Sequence, residues 1–95
     1  MRARSSESLL VAHPSAELQA LAVAIIRGGF EYQGQKCSAA SRVYVPRSLW
    51  PALEARLVEL VSRIRLGDPA DFSNFMGAVI SRPAYERITR YQKNA

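Results

Sequence analysis

The chain has 95 residues, a formal net charge of +5 and 48% hydrophobic residues. This length suits one small domain with a modest core, because a short chain buries only about 60–65% of its unfolded surface. The hydrophobic content argues against a disordered tail, and a single cysteine excludes an internal disulfide. No apolar run approaches the roughly 18 residues of a membrane helix, and an early apolar stretch is too short for a signal peptide. We therefore expect a cytoplasmic protein.

The positive charge is carried mostly by arginine, which accounts for eleven of the thirteen basic residues. The arginines are scattered along the chain, and several alternate with Glu54, Glu59 and Glu86. A nucleic-acid surface normally shows a cluster of basic and aromatic residues, and the sequence contains no such cluster. We predict a solvated arginine-rich surface, with neither nucleic acid nor a membrane as partner.

Residues 1–12 are predicted to form a loose N-terminus with a short strand at 9–12. Pro14 and Ser15 then mark the start of a helix, with Ser15 as its N-cap and Glu17 favourable in the first turn. The helix should end near Gly34, which can adopt the left-handed conformation common at helix ends. Its apolar face, at helical spacing, consists of Leu18, Leu21, Ala22, Ile25 and Ile26.

The second half of the sequence predicts a strand, a helix, a loop and a further helix. The strand covers residues 42–45, where β-branched and aromatic side chains dominate. Ser48 is predicted to cap the next helix, Pro51 fits its first turn, and Gly67 should end it. A turn-rich loop follows, and Pro83 can start the last helix. The apolar stripes are Leu53, Leu57, Leu60, Val61 and Ile64 in one helix, and Tyr85, Ile88 and Tyr91 in the other.

Cys37 lies at the predicted junction between the first helix and the strand. Gly34 allows the backbone to bend there, so the turn can present a thiol to solvent. The neighbouring Lys36 would favour the thiolate, which is the reactive form. On this evidence Cys37 is a candidate nucleophile, and the alternative is that it packs as a small buried hydrophobe.

His13 is the only histidine and adds little to this candidate. Zinc normally takes three or four protein ligands, so one histidine and one cysteine predict no metal site. A cysteine–histidine pair could act as a nucleophile and base. A helix of about 18 residues, rising about 1.5 Å per residue, would separate His13 from Cys37, so we do not expect this pair.

The residues around Cys37 form a longer motif. Gly34-Gln35-Lys36-Cys37-Ser38 follows Phe-Glu-Tyr at 30–32 and precedes Ala-Ala-Ser-Arg-Val-Tyr-Val-Pro at 39–46. Gly-Asp-Pro at 67–69 and Asp-Phe-Ser-Asn-Phe-Met-Gly-Ala-Val-Ile at 71–80 accompany it. Together these segments resemble the catalytic-cysteine region of the aldehyde dehydrogenase superfamily, and within it the 1-pyrroline-5-carboxylate dehydrogenase branch. The resemblance spans residues 13 to 91.

This resemblance implies an α/β fold, in which the chain is part of a catalytic domain with the order helix, cysteine loop, strand, helix, loop, helix. The strand would belong to a parallel sheet whose partner strands lie outside the chain. The resemblance implies that Cys37 attacks an aldehyde, that its backbone N–H helps to bind the developing oxyanion, and that NAD accepts hydride. It also implies that Ser38 helps to hold the α-carboxylate of the substrate. From the residues alone, Ser38 could equally cap a turn.

Several parts of the family pattern have no counterpart in the sequence. Glu7 stands near the position of the family's general base but lacks the flanking glycines, so the role is not assigned to it. No glycine-rich phosphate loop is found, and we expect no NAD site in this chain alone. We predict that residues 13–95 are a partial catalytic domain that is inactive alone and could associate with the missing parts of the enzyme. The alternatives are a small basic binding module and a subunit completed by a separate chain.

Overall fold

A computed structural model describes residues 8–95 of the chain. Residues 1–7, including Glu7, lie outside the described part. The elements in chain order are strand β1 (Ser8–Val11), helix α1 (Leu18–Phe30), a 3₁₀ turn (Glu31–Gly34), strand β2 (Ala40–Tyr44), helix α2 (Trp50–Ser62) and helix α3 (Arg82–Asn94). The order helix, cysteine loop, strand, helix, loop, helix agrees with the sequence prediction.

The two described strands pair in parallel, with Leu10 opposite Val43 and Val11 opposite Tyr44. Parallel neighbours need a crossover connection, and α1 provides it between β1 and β2. The prediction that all partner strands of β2 lie outside the chain is therefore wrong. It overlooked that the short N-terminal strand, the first helix and β2 can form a β–α–β unit, in which the two strands pair in parallel.

The N-terminus of α1 is capped by Glu17, and the prediction of Ser15 as N-cap is wrong. The Glu17 carboxylate accepts hydrogen bonds from the backbone N–H groups of Gln19 (2.9 Å) and Ala20 (2.6 Å). Ser15 instead lies in a preceding turn, where its hydroxyl is 2.8 Å from His13 Nδ1. The backbone N–H groups of Ala20 and Gln19 hold the pKa of Glu17 below its usual value, because they stabilise the charged form.

The C-terminus of α1 is at Phe30, four residues earlier than the sequence predicted. Tyr32 and Gln33 leave the helical conformation and both have φ of +58°, and Gly34 follows at +68°. Glycine tolerates this left-handed region, whereas side chains with a Cβ are strained in it. The segment between the helix and the cysteine is thus a left-handed turn rather than a continuation of the helix.

The core lies between the sheet, α1 and α2. Leu53 of α2 and Ala22 of α1 are fully buried, and Ala12 and Leu21 complete the buried cluster. Burying apolar surface is the main favourable term in folding, and these contacts fix α2 against α1. The partly buried residues around this cluster are Leu10, Ala16, Leu18, Ile25, Val45, Leu49, Leu57 and Leu60.

Both predicted ends of α2 differ from the structure. The N-cap is Leu49 and makes no side-chain hydrogen bond, because the residues after Pro46 form a turn closed by Leu49 N–H and Pro46 C=O. The helix ends at Ser62 rather than near Gly67. After the helix, the Gly67 N–H donates to the Met76 carbonyl, and the Arg65 carbonyl accepts from the N–H groups of Phe75 and Met76. The chain leaves the helix because these hydrogen bonds pair it with the following loop. Pro51 lies in the first turn, as the sequence predicted.

Helix α3 begins at Arg82, next to the predicted Pro83, and Ser81 caps it by accepting a hydrogen bond from the Ala84 N–H. Ala84 is the buried residue of this helix. Within residues 8–95, none of the helices has the length and apolar character required to cross a membrane.

Candidate active site

Cys37 is exposed to solvent and lies in a tight turn immediately before β2. The turn is closed by a 3.1 Å hydrogen bond from the Ala39 N–H to the Lys36 carbonyl, so Cys37 and Ser38 occupy its two central positions. We call residues 36–39 the cysteine turn. The alternative that Cys37 packs as a buried hydrophobe is wrong, because the side chain faces solvent.

The cysteine turn places Ser38 next to Cys37, and both residues are exposed. A hydroxyl can donate and accept hydrogen bonds, and a neighbouring thiol supplies a nucleophile. The two candidate site residues from the sequence are therefore presented together on one short turn. The turn itself is closed by backbone groups, so its geometry does not require a Ser38 side-chain cap.

Lys36 is held by a carboxylate at the end of α1. Its Nζ lies 2.8 Å from Glu31 Oε2, and Arg27 lies 3.7 Å from the other Glu31 oxygen. The hydrogen bond from Lys36 and its positive charge, with a smaller contribution from Arg27, hold the pKa of Glu31 below its usual value. The ammonium that the sequence places beside Cys37 is thus shared with Glu31.

Two glutamines beside the cysteine turn contact a distant part of the chain. Gln35 Oε1 accepts a 3.0 Å hydrogen bond from the backbone N–H of Ile80, 45 residues away. The Gln33 amide, oriented to satisfy both of its groups, accepts from the Gly77 N–H and donates to the Tyr32 carbonyl. Sequence analysis missed both residues, because a hydrogen bond across more than 40 positions leaves no local pattern.

A groove of about 730 Å³ lies between these glutamines and the loop that they contact. Its walls are mostly apolar, with the Glu31 carboxylate and the two glutamine amides as polar groups. The lining residues are Glu31, Tyr32, Gln33, Gln35, Pro69, Phe75, Gly77, Ala78 and Ile80.

His13 lies far from the cysteine turn along the sheet. It follows β1, whereas Cys37 precedes β2, and the strands are parallel, so the two residues are at opposite ends of the strands. Within residues 8–95, no three side chains of His, Cys, Asp or Glu lie close enough to hold a metal ion.

The sequence profile described as "Aldehyde dehydrogenase family" matches residues 4–95. The chain belongs to the aldehyde dehydrogenase family. This confirms the resemblance that the cysteine motif indicated, and the α/β fold agrees with it.

Within the aldehyde dehydrogenase family, the chain is similar to the following individual enzymes. Mouse mitochondrial delta-1-pyrroline-5-carboxylate dehydrogenase is 50% identical over 84 residues, which cover 87% of this chain and 15% of the mouse protein. The crystal structure of delta-pyrroline-5-carboxylate dehydrogenase from Mycobacterium tuberculosis bound with NAD has a TM-score of 0.88 and 39% identity, covering 94% of this chain and 17% of that one. The crystal structure of betaine aldehyde dehydrogenase from Staphylococcus aureus in complex with NAD+ has a TM-score of 0.86 and 30% identity, covering 90% of this chain and 17% of that one.

The chain thus spans about 15% of the length of the curated relatives that it matches. It matches both solved dehydrogenases over nine-tenths of its own length. The arrangement of β1, α1, β2, α2 and α3 is therefore a local part of the aldehyde dehydrogenase fold.

The residues of this chain do not fit NAD at the place where a β–α unit normally binds a dinucleotide. Such sites put the pyrophosphate at the N-terminus of the helix that follows the first strand. In this chain that position is α1, whose first N–H groups are taken by the Glu17 carboxylate. A second anion would be repelled there, and the connection from β1 to α1 contains no glycine.

Proposed function

We propose that this chain carries the nucleophile segment of a 1-pyrroline-5-carboxylate dehydrogenase. The reaction is the NAD-dependent oxidation of L-glutamate gamma-semialdehyde to L-glutamate, a step of proline catabolism. The observation that carries the proposal is the exposed Cys37 at the centre of a hydrogen-bonded turn, in a chain 50% identical to a dehydrogenase of that name over 84 residues. We further propose that residues 13–95, with strand β1, are part of the catalytic domain.

In this proposal Cys37 is the nucleophile. Its thiolate Sγ adds to the aldehyde carbon, the carbonyl electron pair moves to the oxygen, and a thiohemiacetal forms. The backbone N–H of Cys37 donates to that oxygen, because fixed donors stabilise a charge that develops in the transition state. The tight turn supports this role, since it fixes the Cys37 N–H and the Cα–Cβ bond that carries the thiol relative to each other.

Ser38 is proposed to bind the α-carboxylate of the substrate. Its hydroxyl can donate a hydrogen bond to a carboxylate oxygen, and such charge-assisted bonds are stronger than neutral ones. Its place directly after Cys37 supports the assignment, because one substrate would then contact both residues through its two ends.

Bound NAD would supply the hydride acceptor of this reaction, and the Glu17-capped start of α1 does not favour binding of its pyrophosphate. We therefore propose that the 95 residues do not turn over alone and act with the other parts of an aldehyde dehydrogenase. The outer face of the sheet supports such an association. Leu9, Val11 and Tyr44 alternate onto this face with exposed fractions of 56%, 68% and 52%, which is a large apolar surface for two strands.

A chimeric enzyme tests the proposal. The residues of Mycobacterium tuberculosis pyrroline-5-carboxylate dehydrogenase that align with this chain are replaced by this sequence, and NADH formation is followed with glutamate semialdehyde. We expect turnover that Cys37→Ala abolishes, while Ser38→Ala raises KM more than it lowers kcat. A chimera that folds and binds NAD but shows no Cys37-dependent turnover contradicts the assignment.

The isolated chain is assayed beside the chimera with the same substrates. We expect no NADH formation from either the chain or its Cys37→Ala variant. Cysteine-dependent turnover by the isolated chain would contradict the proposed need for other parts of the enzyme.

The cytoplasmic location expected from the sequence stays a prediction. The mouse relative is named as mitochondrial, so the two compartments are the outcomes to distinguish. Fluorescence microscopy of the tagged chain, with a mitochondrial dye as reference, measures which compartment holds it.

A further inference from the structure

The left-handed turn before the cysteine has an unfavourable backbone conformation, and hydrogen bonds from its side chains hold it in place. Tyr32 and Gln33 both have φ of +58°, a conformation that is unfavourable for residues with a Cβ. Strained residues persist where the surrounding structure holds them, and they concentrate at functional sites. Here the strained residues come shortly before the cysteine turn, on the path by which the chain reaches Cys37.

The strained conformation turns two glutamines toward one segment of the chain. Gln33 accepts from the Gly77 N–H, and Gln35 accepts from the Ile80 N–H at 3.0 Å. The approach at Gly77 is close, since a Cβ placed there would lie 3.3 Å from the side-chain amide of Gln33. Two acceptors two residues apart thus bind two backbone donors three residues apart.

The segment that supplies these donors is itself anchored to the chain that follows α2. The Phe75 N–H donates to the Arg65 carbonyl at 2.9 Å, and the Gly67 N–H donates to the Met76 carbonyl at 3.0 Å. Leu66 and Met76 form an isolated parallel bridge at the same place. The two glutamines therefore connect the cysteine turn to a segment with its own backbone hydrogen bonds.

We propose that Gln35, assisted by Gln33, is a positioning residue for Cys37. Gln35 is held on both sides, since its backbone N–H donates to the Tyr32 carbonyl at 3.1 Å while its side chain binds Ile80. The cysteine turn begins at the next residue, so fixing Gln35 fixes the direction in which the chain enters that turn. This inference rests on the proposed function of Cys37 as nucleophile and assigns to the glutamines the orientation of its thiol and N–H.

Amide hydrogen exchange in the full 95-residue chain tests the proposal. Gln35→Met keeps the length of the side chain and removes the acceptor, Gln35→Glu keeps an acceptor, and Gln19→Met is the matched control. Gln19 also accepts a side-chain hydrogen bond, from Arg56 Nε at 2.6 Å, but it lies in the first turn of α1, away from the cysteine turn. The Ala22 amide in the buried part of α1 reports whether the fold is intact.

We expect Gln35→Met to speed exchange at Ile80 by roughly fivefold, the change typical of losing one hydrogen bond, and to speed exchange at Ala39 as well. Ala39 closes the cysteine turn, so its response reports on Cys37 rather than on the loop. Gln35→Glu should restore protection at both amides, and Gln19→Met should change neither. Exchange at Ala22 should stay unchanged in every variant.

Two results would overturn the proposal. Faster exchange at Ile80 with unchanged exchange at Ala39 would mean that Gln35 holds the loop without positioning the turn. Equal loosening of Ala22, Ile80 and Ala39, without rescue by Gln35→Glu, would mean a general loss of stability. These readouts do not depend on turnover. Inactive chimeras would therefore contradict the proposed function without changing the hydrogen-exchange result.

Discussion

The first two-thirds of the described chain and the last third are held together differently. Residues 8–62 share a core in which Leu53 and Ala22 are fully buried. In residues 63–95 Phe72 is 97% exposed and Ile80 86% exposed, and Ala84 is the buried residue of α3. The three α-helices within residues 8–95 each have 13 residues, so helix length does not distinguish the regions. The difference is whether an apolar face meets another element of this chain.

The largest expected effect tests this contrast directly. Leu53→Ala should lower the free energy of unfolding by about 2–5 kcal/mol, since it opens a cavity in the core. Ile88→Ala on α3 is the matched control, because Ile88 is 39% exposed, and it should cost less than about 1 kcal/mol. Urea denaturation followed by circular dichroism measures both. Equal costs would mean that α3 contributes to stability as much as the core does.

The second prediction compares two glycines near the C-terminus of α1. Gly34→Ala should lower the free energy of unfolding by about 1–2 kcal/mol, because Gly34 is left-handed and its new Cβ would lie 3.1 Å from the Gly29 carbonyl oxygen. Gly28→Ala should raise it by up to about 1 kcal/mol, because alanine favours a helix and its Cβ would lie at 3.8 Å from the Ala40 Cβ. A stabilised Gly34→Ala variant would contradict the left-handed turn.

The smallest expected effect concerns the carboxylates at the two ends of α1. Both Glu17 and Glu31 have a lowered pKa, so each stabilises the fold above the ordinary glutamate pKa, and this contribution is lost as pH falls through the lowered value. Salt should affect them differently. Glu31 is held by charged Lys36, whose attraction is screened, whereas Glu17 is held by backbone N–H groups.

Carboxyl resonances in NMR titrations at low salt and in about 1 M NaCl, where the screening length is about 3 Å, check this difference. The pKa of Glu31 should move back toward its usual value at high salt, and that of Glu17 should move less. Equal movement at both residues would mean that backbone hydrogen bonds are not the main cause at Glu17. A Lys36→Met variant at low salt should raise the pKa of Glu31 toward its usual value, as high salt does, and leave the pKa of Glu17 unchanged.

Sequence patterns located the elements better than their ends. The stripe around Leu53 predicted α2 correctly, because helical spacing of apolar residues is a local signal. The predicted N-caps Ser15 and Ser48 were wrong, because a turn precedes each helix and shifts its start toward the C-terminus. The cysteine motif indicated the family correctly. The pairing of β1 with β2 and the contacts of Gln33 and Gln35 depend on residues more than 30 positions apart, and no local pattern contains them.

The parallel pairing of β1 and β2 has a consequence for the order of folding. Ser8 pairs with Ala40, so the sheet cannot form until the chain between them has been brought together by α1. Such non-local contacts pay their loop entropy before they gain stability, which slows their formation. The strands should therefore join late, on a helix that is already in place. In a refolding experiment with pulsed exchange, the amides of α1 would acquire protection before those of β1.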